Sequence, residues 1–261
     1  HTSYHIGEAV HYLVSPKSLD DLLILSDFLL ASKMPFAFLG LGSNILGSDE
    51  KKDVLVIKTK NLFSQITEEE NRLYLGSGVS VTELIQAAKK NQWMGFEALC
   101  GIPGNMGGVI FMNAGTHLGE VKDLLLEVHV YSLKNKKTKI YTQEDLIYSY
   151  RKNHFLKPDE LIIGAYFKKN ISPETNAHIY SDFLKRRKET QPLKWPSCGS
   201  VFKNPQGYSA WSLIEKVGLK GKIIGEAQIS LMHANWIVNL GNAKAQDVKD
   251  LIALVIKEVE E

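Results

Sequence analysis

The sequence predicts an α+β protein, and three observations predict it. Short apolar strands alternate with amphipathic helical stretches from Ala9 onward, and glycine-bearing turns follow several of the strands. Leu126, Val128 and Val130 alternate with polar residues before Asn135-Lys136-Lys137 interrupts the pattern ahead of Ile140, as in a hairpin.

The elements follow in order. Ala9 to Val14 reads as a strand, and Ser18 with Asp21 opens a helix in the manner of a capping box. Phe36 to Leu39 is the next strand, which makes a β-α-β opening. A second such unit runs from the strand Leu73 to Gly78 into a helix over Val81 to Lys90, where Ser80 and Glu83 repeat the capping signature. Leu161 to Phe167 is a strand beyond the hairpin. Asn170 to Pro173, followed by a polar helix carrying Lys185-Arg186-Arg187-Lys188, reads as a linker, so the boundary falls between 1–169 and 170–261. The first part divides into subdomains of about 1–60 and 61–169. In the second, Ala210 to Val217 is a short helix stopped by Gly218, and His233 to Val238 is a strand. Asp247 to Val259 is an amphipathic helix with Val248, Leu251, Ile252, Val255 and Val259 on its apolar face.

Composition narrows the function classes. With 44% hydrophobic and 23% charged residues the chain is an ordinary globular one, and 31 basic against 29 acidic residues leave a formal charge of +2. So even a balance predicts no general attraction to nucleic acid or anionic membrane, and an anionic ligand must be met by local charge. The longest apolar run, Leu251 to Ile256, is far below the roughly 20 residues of a membrane span, and His1-Thr2-Ser3-Tyr4 has no signal-peptide layout. A cytoplasmic protein without an obligate protein partner is expected. Cys100 and Cys198 are the only cysteines, which fits a reducing compartment and offers neither a disulfide framework nor zinc-ligand spacing. His1 and His5 are four apart but lack an accompanying carboxylate, and no metal site is expected.

Two glycine-rich loops are the main chemical signal: Gly40-Leu41-Gly42-Ser43-Asn44 after a strand, and Gly101-Ile102-Pro103-Gly104-Asn105-Met106-Gly107-Gly108 ahead of the apolar Val109 to Met112. Asn113-Ala114-Gly115 adds a third glycine-bearing turn. Two readings stand: tight turns, or a backbone that approaches a ligand closely and presents consecutive free N–H groups to a pyrophosphate. Neither loop carries the G-x-G-x-x-G dinucleotide fingerprint, and no Walker-type P-loop occurs.

At Gly40 to Asn44 and Gly101 to Gly115 the sequence resembles the UDP-N-acetylenolpyruvoylglucosamine reductase (MurB) family. Tyr150-Arg151, the string Pro196-Ser197-Cys198-Gly199-Ser200-Val201-Phe202-Lys203-Asn204-Pro205 and the string His233 to Asn239 look like further signatures of that family, in its order. The resemblance spans essentially the whole chain. It implies a vanillyl-alcohol-oxidase/PCMH-type FAD-binding fold of two α/β subdomains plus a small C-terminal α/β substrate domain. It implies an FAD- and NADPH-dependent reduction of UDP-N-acetylglucosamine enolpyruvate to UDP-N-acetylmuramate, in peptidoglycan precursor synthesis. Gly40, Gly42, Ser43, Asn44, Gly101, Ile102, Pro103, Gly104, Gly107, Gly108, Asn113, Ala114 and Gly115 would hold FAD, without a covalent link because no histidine or cysteine has motif support for one.

Ser200, read alone, is a turn or cap residue. The resemblance makes it the proton donor to C2 after hydride passes from flavin N5 to C3. Arg151, otherwise a surface residue at a hairpin end, would face the substrate carboxylate and the charge developing on it, a task suited to a fork-shaped permanent cation. Tyr150, Lys203, Asn204 and His233 would contact substrate. Lys185 to Lys188 reads either as a helix end offsetting its dipole or, through Arg187 and Lys188, as a clamp on the UDP pyrophosphate.

The chain departs from the family pattern in several places. Leu41 stands where glycine is common and requires negative φ there, and Thr116-His117 replaces the usual Ala-Tyr. The short spacing from Arg151 to Ser200 resembles the family's second type, without an inserted tyrosine loop. The family's glutamate, in a strand after the last helix, has no counterpart before the sequence ends at Glu260-Glu261. A catalytically impaired flavin- or nucleotide-binding form is therefore an alternative expectation, and a related flavin oxidase is another. The Ser200 loop argues against the oxidase, which needs a base near a substrate hydroxyl.

Overall fold

A computed structural model describes residues 1–60, 62–172 and 177–261, which pack as two compact units. The larger contains 12–41 and 53–184; the smaller contains 1–11, 42–52 and 185–261. Packing thus groups two N-terminal segments with the C-terminal region instead of dividing the chain at 169/170.

Lying in the larger unit for all but the first residues of β1 and β3, β1 (Val10–Val14), α1 (Leu19–Ser32), β2 (Phe36–Leu39) and β3 (Lys52–Lys58) come first. The sheet order is β1-β3-β2, with β2 and β3 parallel, so the two strands of the expected β-α-β opening are separated by a third. Ser18 caps α1 by accepting from the Asp21 N–H at 3.1 Å.

Next come β4 (Ile66–Glu68), β5 (Arg72–Gly76), α2 (Val81–Asn91), β6 (Trp93–Met94) and α3 (Met106–Phe111). The capping box of α2 is formed in full by Ser80 and Glu83. Two short pairs, β7 (Gly115–Thr116) with β8 (Gly119–Glu120) and β11 (Tyr148–Ser149) with β12 (Lys152–Asn153), flank the predicted hairpin of β9 (Leu125–Ser132) and β10 (Lys137–Thr142). The unit's strands end with β13 (Glu160–Lys168) and β14 (Asn170–Ile171). Because β14 pairs with β6, Asn170 and Ile171 are not linker; Pro173 lies outside the described residues.

The larger sheet runs β10-β9-β13-β5-β4, all antiparallel. Its central strand serves two cores. Leu161 and Ile163 face α1 and β3, whereas Ile162, Ala165 and Phe167 face α2 and α3. Strict alternation would put positions 161, 163, 165 and 167 on one side, and the register shift between Ile162 and Gly164 reverses the sides. A Cβ on Gly164 would lie 2.2 Å from the Tyr74 hydroxyl, so a larger residue there would have to displace the Tyr74 ring.

The smaller unit holds the antiparallel sheet of β15 (Ile223–Ile224), β16 (Ala227–Ile229) and β17 (Ile237–Asn239), with α5 (Ala210–Lys216) and α6 (Ala245–Glu260). The chain enters it along α4 (Ala177–Thr190), the expected polar helix. Val248, Leu251 and Val255 of α6 pack on Ala227, Ile229 and Ile237, and Tyr4 and Ile6 complete that core. Tyr4 donates to the Ile237 carbonyl at 2.8 Å, and Asn239 Nδ2 donates back to the Tyr4 carbonyl at 3.0 Å.

The start of α6 is held by a residue almost two hundred positions away. The Asp49 carboxylate accepts from Ala245 N–H at 2.6 Å and Gln246 N–H at 2.8 Å. The Ala245 bond leads the effects that hold the Asp49 carboxyl below the usual carboxylate range. Its stabilisation is therefore present at neutral pH and lost as acid protonates Asp49 below the unfolded-state value of about 4. Asp49→Ala is expected to cost about 1 kcal/mol, as loss of a helix cap does. Thermal unfolding from pH 7 down to pH 3 checks this, because the difference between variant and parent must shrink as the pH falls.

Candidate functional site

The glycine string of 101–108 lies against the end of β5. Val81 N–H donates to the Gly104 carbonyl at 3.0 Å, Met106 N–H to Val79 at 2.8 Å and Gly107 N–H to Ser77 at 2.9 Å. The expected run of free N–H groups is thus corrected at Met106 and Gly107, whose donors are consumed by the neighbouring backbone because α3 begins inside the string. Close approach survives elsewhere. A Cβ placed on Gly40 or on Gly108 would meet nothing within 4 Å, so the backbone faces open space at both. Gly42 differs: it takes φ +74°, and a Cβ there would lie 2.6 Å from the His1 carbonyl, so its glycine serves the packing of the N-terminal segment. Leu41 does not take positive φ.

Ile102 is half-buried and Pro103 exposed along this loop. Asn105, buried within it, donates its amide to the carbonyls of Lys60 and Gly78, while its Oδ1 is buried without a hydrogen-bond partner. Ser77 Oγ, beside Gly107, is likewise buried and unpartnered. A buried polar atom without a partner costs about 1–3 kcal/mol, which a polar ligand at the loop would relieve. Open backbone at Gly40 and Gly108 together with these orphaned acceptors fits a large polar cofactor such as FAD.

Arg151 reaches the third glycine turn from a hairpin tip. Tyr148 hydroxyl donates to the Ile110 carbonyl at 3.0 Å and Asn153 Nδ2 to the Phe111 carbonyl at 2.8 Å, which bind β11 and β12 to the end of α3. Tyr150 and Arg151 form the two-residue tip, and Arg151 takes φ +55°, an uncommon conformation for a residue with a side chain. Its Nη1 donates to the Asn113 carbonyl at 2.9 Å and to Glu120 Oε1 at 2.8 Å, and its Nη2 donates to the Gly115 carbonyl at 2.6 Å. The guanidinium also lies 4.8 Å from the Tyr150 ring centre. Arg151, Tyr150, Asn113, Ala114 and Gly115 are therefore brought together.

Asn113 is fully buried in the left-handed conformation. Its Nδ2 donates to Glu120 Oε2 at 2.8 Å and to the Ser149 carbonyl at 3.3 Å, and its Oδ1 accepts from Lys122 N–H. Glu120, which the sequence does not single out, is thus the hub of the cluster. No local spacing reveals it, since its partner Arg151 is 31 positions away.

In the smaller unit Ser200 is exposed and forms an antiparallel bridge with Trp236. The following residues are braced by Asn235: its backbone carbonyl accepts from Val201 N–H at 2.9 Å, its Oδ1 from Phe202 N–H at 2.8 Å, and its Nδ2 donates to the Phe202 carbonyl at 2.9 Å. Asn204 Oδ1 accepts from Ala210 N–H at 2.9 Å, which commits that oxygen to the start of α5; Lys203 is exposed. His233 precedes β17 and does not start it: it sits in a turn whose Met232 and His233 N–H groups both donate to Ser230 Oγ. Burial lowers its pKa, and neutral His233 accepts from Asn235 N–H at Nδ1, 3.3 Å away, between the rings of Trp211 and Trp236. Asn235 is the second residue that sequence reading passes over. It lies inside the string His233 to Asn239, but only the fold turns it toward the Ser200 loop.

Also in this unit, Ser43 is half-buried and Asn44 exposed. Arg187 and Lys188 occupy the last turn of α4, where Arg187 Nε donates to Gln191 Oε1 at 2.7 Å. Cations there offset the helix dipole. Among the described residues no group of three or more histidine, cysteine or acidic side chains could hold a metal ion, and no helix is long and apolar enough to cross a membrane.

Residues 191–261 match the family model of the UDP-N-acetylenolpyruvoylglucosamine reductase C-terminal domain, and residues 10–135 match that of an FAD binding domain. The chain is 38% identical to a UDP-N-acetylenolpyruvoylglucosamine reductase of Petrotoga mobilis over 100% of this chain and 87% of that protein. The crystal structure of the enzyme of that name (MurB) from Thermus caldophilus superposes with a TM-score of 0.85 at 36% identity, over 98% of this chain and 91% of that one. A berberine bridge enzyme variant shares 16% identity, with a TM-score of 0.50 over 65% of this chain and 36% of its own, which is a likeness of fold alone. The fold is the FAD-binding one of vanillyl-alcohol-oxidase/PCMH-type proteins.

Asn235→Ala removes two side-chain hydrogen bonds and leaves the Phe202 N–H and carbonyl without them. A loss of about 2–3 kcal/mol is expected in denaturant unfolding. An unchanged midpoint would mean that the Ser200 loop is braced by other contacts.

Proposed function

The chain belongs to the UDP-N-acetylenolpyruvoylglucosamine reductase family, and we propose that it reduces the enolpyruvyl double bond of UDP-N-acetylglucosamine enolpyruvate, with NADPH as reductant, for peptidoglycan synthesis. The observation that carries this reading is Arg151, held by three hydrogen bonds to the Asn113 carbonyl, the Gly115 carbonyl and the Glu120 carboxylate, with donors still to offer.

The fit of Gly40, Gly108, Ser77 and Asn105 supports the loops 40–44, 101–108 and 113–115 as the residues that hold FAD. FAD held there would supply the hydride chemistry that links NADPH to the enolpyruvyl group. The protein's own residues do the rest. Ser200 gives its hydroxyl proton to C2, so that the double bond becomes a single bond and charge is balanced. A serine hydroxyl is a weak acid, and Lys203, three positions on, favours the proton's departure by its charge. Arg151 holds the substrate carboxylate and the negative charge that builds on it, which a fork of fixed N–H donors stabilises more in the transition state than in the ground state. Tyr150, Asn204 and His233 position the substrate, and Arg187 and Lys188 attract its pyrophosphate. UDP-sugar and NADPH chemistry of this kind belongs in the cytoplasm.

The protein should purify yellow, and denaturation should release its FAD, because the link is non-covalent. Anaerobic stopped flow then separates the two half-reactions. Ser200→Ala should leave reduction by NADPH nearly unchanged and slow reoxidation by the enolpyruvyl substrate by roughly 10²-fold or more. Arg151→Lys should likewise slow only the second half-reaction, since lysine lacks the fork. Wild-type reoxidation in the Ser200→Ala variant would remove the proton-donor assignment. Bleaching by NADPH with no reoxidation in the parent chain would favour a flavin-binding form without turnover.

A further inference from the structure

We infer that Glu120 is a positioning residue for Arg151: it selects which guanidinium donors face the substrate and holds them there. The inference rests on the role proposed for Arg151 and names the part of the fold that makes that role possible.

Arg151 has five N–H donors in a plane. Both protons of Nη1 are engaged, by the Asn113 carbonyl at 2.9 Å and Glu120 Oε1 at 2.8 Å, and one of Nη2 by the Gly115 carbonyl at 2.6 Å. The donors left are Nε–H and one Nη2–H, the pair a carboxylate or enolate can take. Rotation of the guanidinium would break a charge-assisted bond to Glu120, and such bonds are about twice as strong as neutral ones.

Glu120 is itself fixed. Its Oε2 accepts from Asn113 Nδ2 at 2.8 Å and lies 3.4 Å from Lys122 Nζ. Its backbone belongs to β8, paired to Gly115 in β7, so the carboxylate and the carbonyl that hold Arg151 come from directly opposed residues of one pair. A Cβ on Gly115 would come within 2.1 Å of the Gly119 carbonyl, which keeps that pair tight. The side chains of Arg151 and Glu120 are 24% and 19% exposed, so the ion pair is shielded enough to matter, unlike a surface pair.

A carboxylate beside the arginine also lowers the local positive potential, so the substrate anion binds less tightly than to a bare cation. Glu120 should therefore influence the rate of reduction more than ground-state affinity.

The test uses the FAD-loaded protein and measures the two half-reactions, substrate affinity by flavin difference spectra, and a double-mutant cycle with Arg151→Lys. Glu120→Ala is expected to slow the enolpyruvyl half-reaction by roughly tenfold to a hundredfold, the worth of a hydrogen bond to a charged group, without weakening substrate binding comparably. Reduction by NADPH should be unaltered. Glu120→Gln keeps an acceptor for Arg151 but sets an NH₂ against the Asn113 and Lys122 donors, so it should fall between parent and Ala, and it serves in place of Ala should that variant fail to fold. In the Arg151→Lys background either substitution at 120 should cost little more. Additive losses, or equal slowing of both half-reactions, would overturn the inference and leave Arg151 its role. If Arg151→Lys itself turned over the enolpyruvyl substrate normally, the reading of Arg151 would fail, and the positioning of it with it.

Discussion

A run of backbone hydrogen bonds starting at the central strand β13 sets the larger unit. Gly164 of β13 stands opposite Gly76 of β5, Ser77 N–H donates to the Ile163 carbonyl at 3.0 Å, and Gly107 N–H donates to the Ser77 carbonyl at 2.9 Å. The glycine string is therefore positioned by the sheet itself, through a strand that is buried on both faces along most of its length. The register shift at Ile162/Gly164 lets that one strand fill two cores, and it falls beside the carbonyl that receives Ser77. Rigid elements position a ligand loop more accurately than the loop can position itself.

Buried asparagines carry the same logic into the irregular segments. Asn105, Asn113, Asn235 and Asn239 are all nearly inaccessible, and each bonds backbone groups outside the main sheet ladders. An amide suits this because it offers donors and an acceptor without a charge to desolvate. Asn239 joins Tyr4 to Gly241 and Ala243, and Asn235 joins the Ser200 loop to the turn before β17. Apolar packing gives each unit its cohesion, while these amides fix the path of the irregular loops.

Glycine plays different parts at positions that look alike in sequence. Gly40 and Gly108 leave backbone open to space, whereas Gly42 and Gly115 are crowded by neighbouring carbonyls at 2.6 Å and 2.1 Å from a would-be Cβ. The first pair suits ligand approach and the second allows the chain to pack on itself.

The sequence by itself determined the family and those elements whose signals are local. Periodicity located α1, α2, α5, α6 and the β9–β10 hairpin, and the capping pairs at Ser18 and Ser80 marked helix starts, because these signals are local in hydrogen bonding and in side-chain period. The strings around Gly101, Arg151 and Ser200 were equally legible. Only the tertiary structure decided that β3 lies between β1 and β2, that Asn170 and Ile171 pair with β6, and that 1–11 and 42–52 pack with the C-terminal region. It also decided that Met106 and Gly107 spend their N–H groups on backbone, that Asp49 caps α6, and that Glu120 and Asn235 hold Arg151 and the Ser200 loop. Each of these joins residues far apart in the chain, and a pairing made by the closing of long loops leaves no mark in the periodicity of either partner.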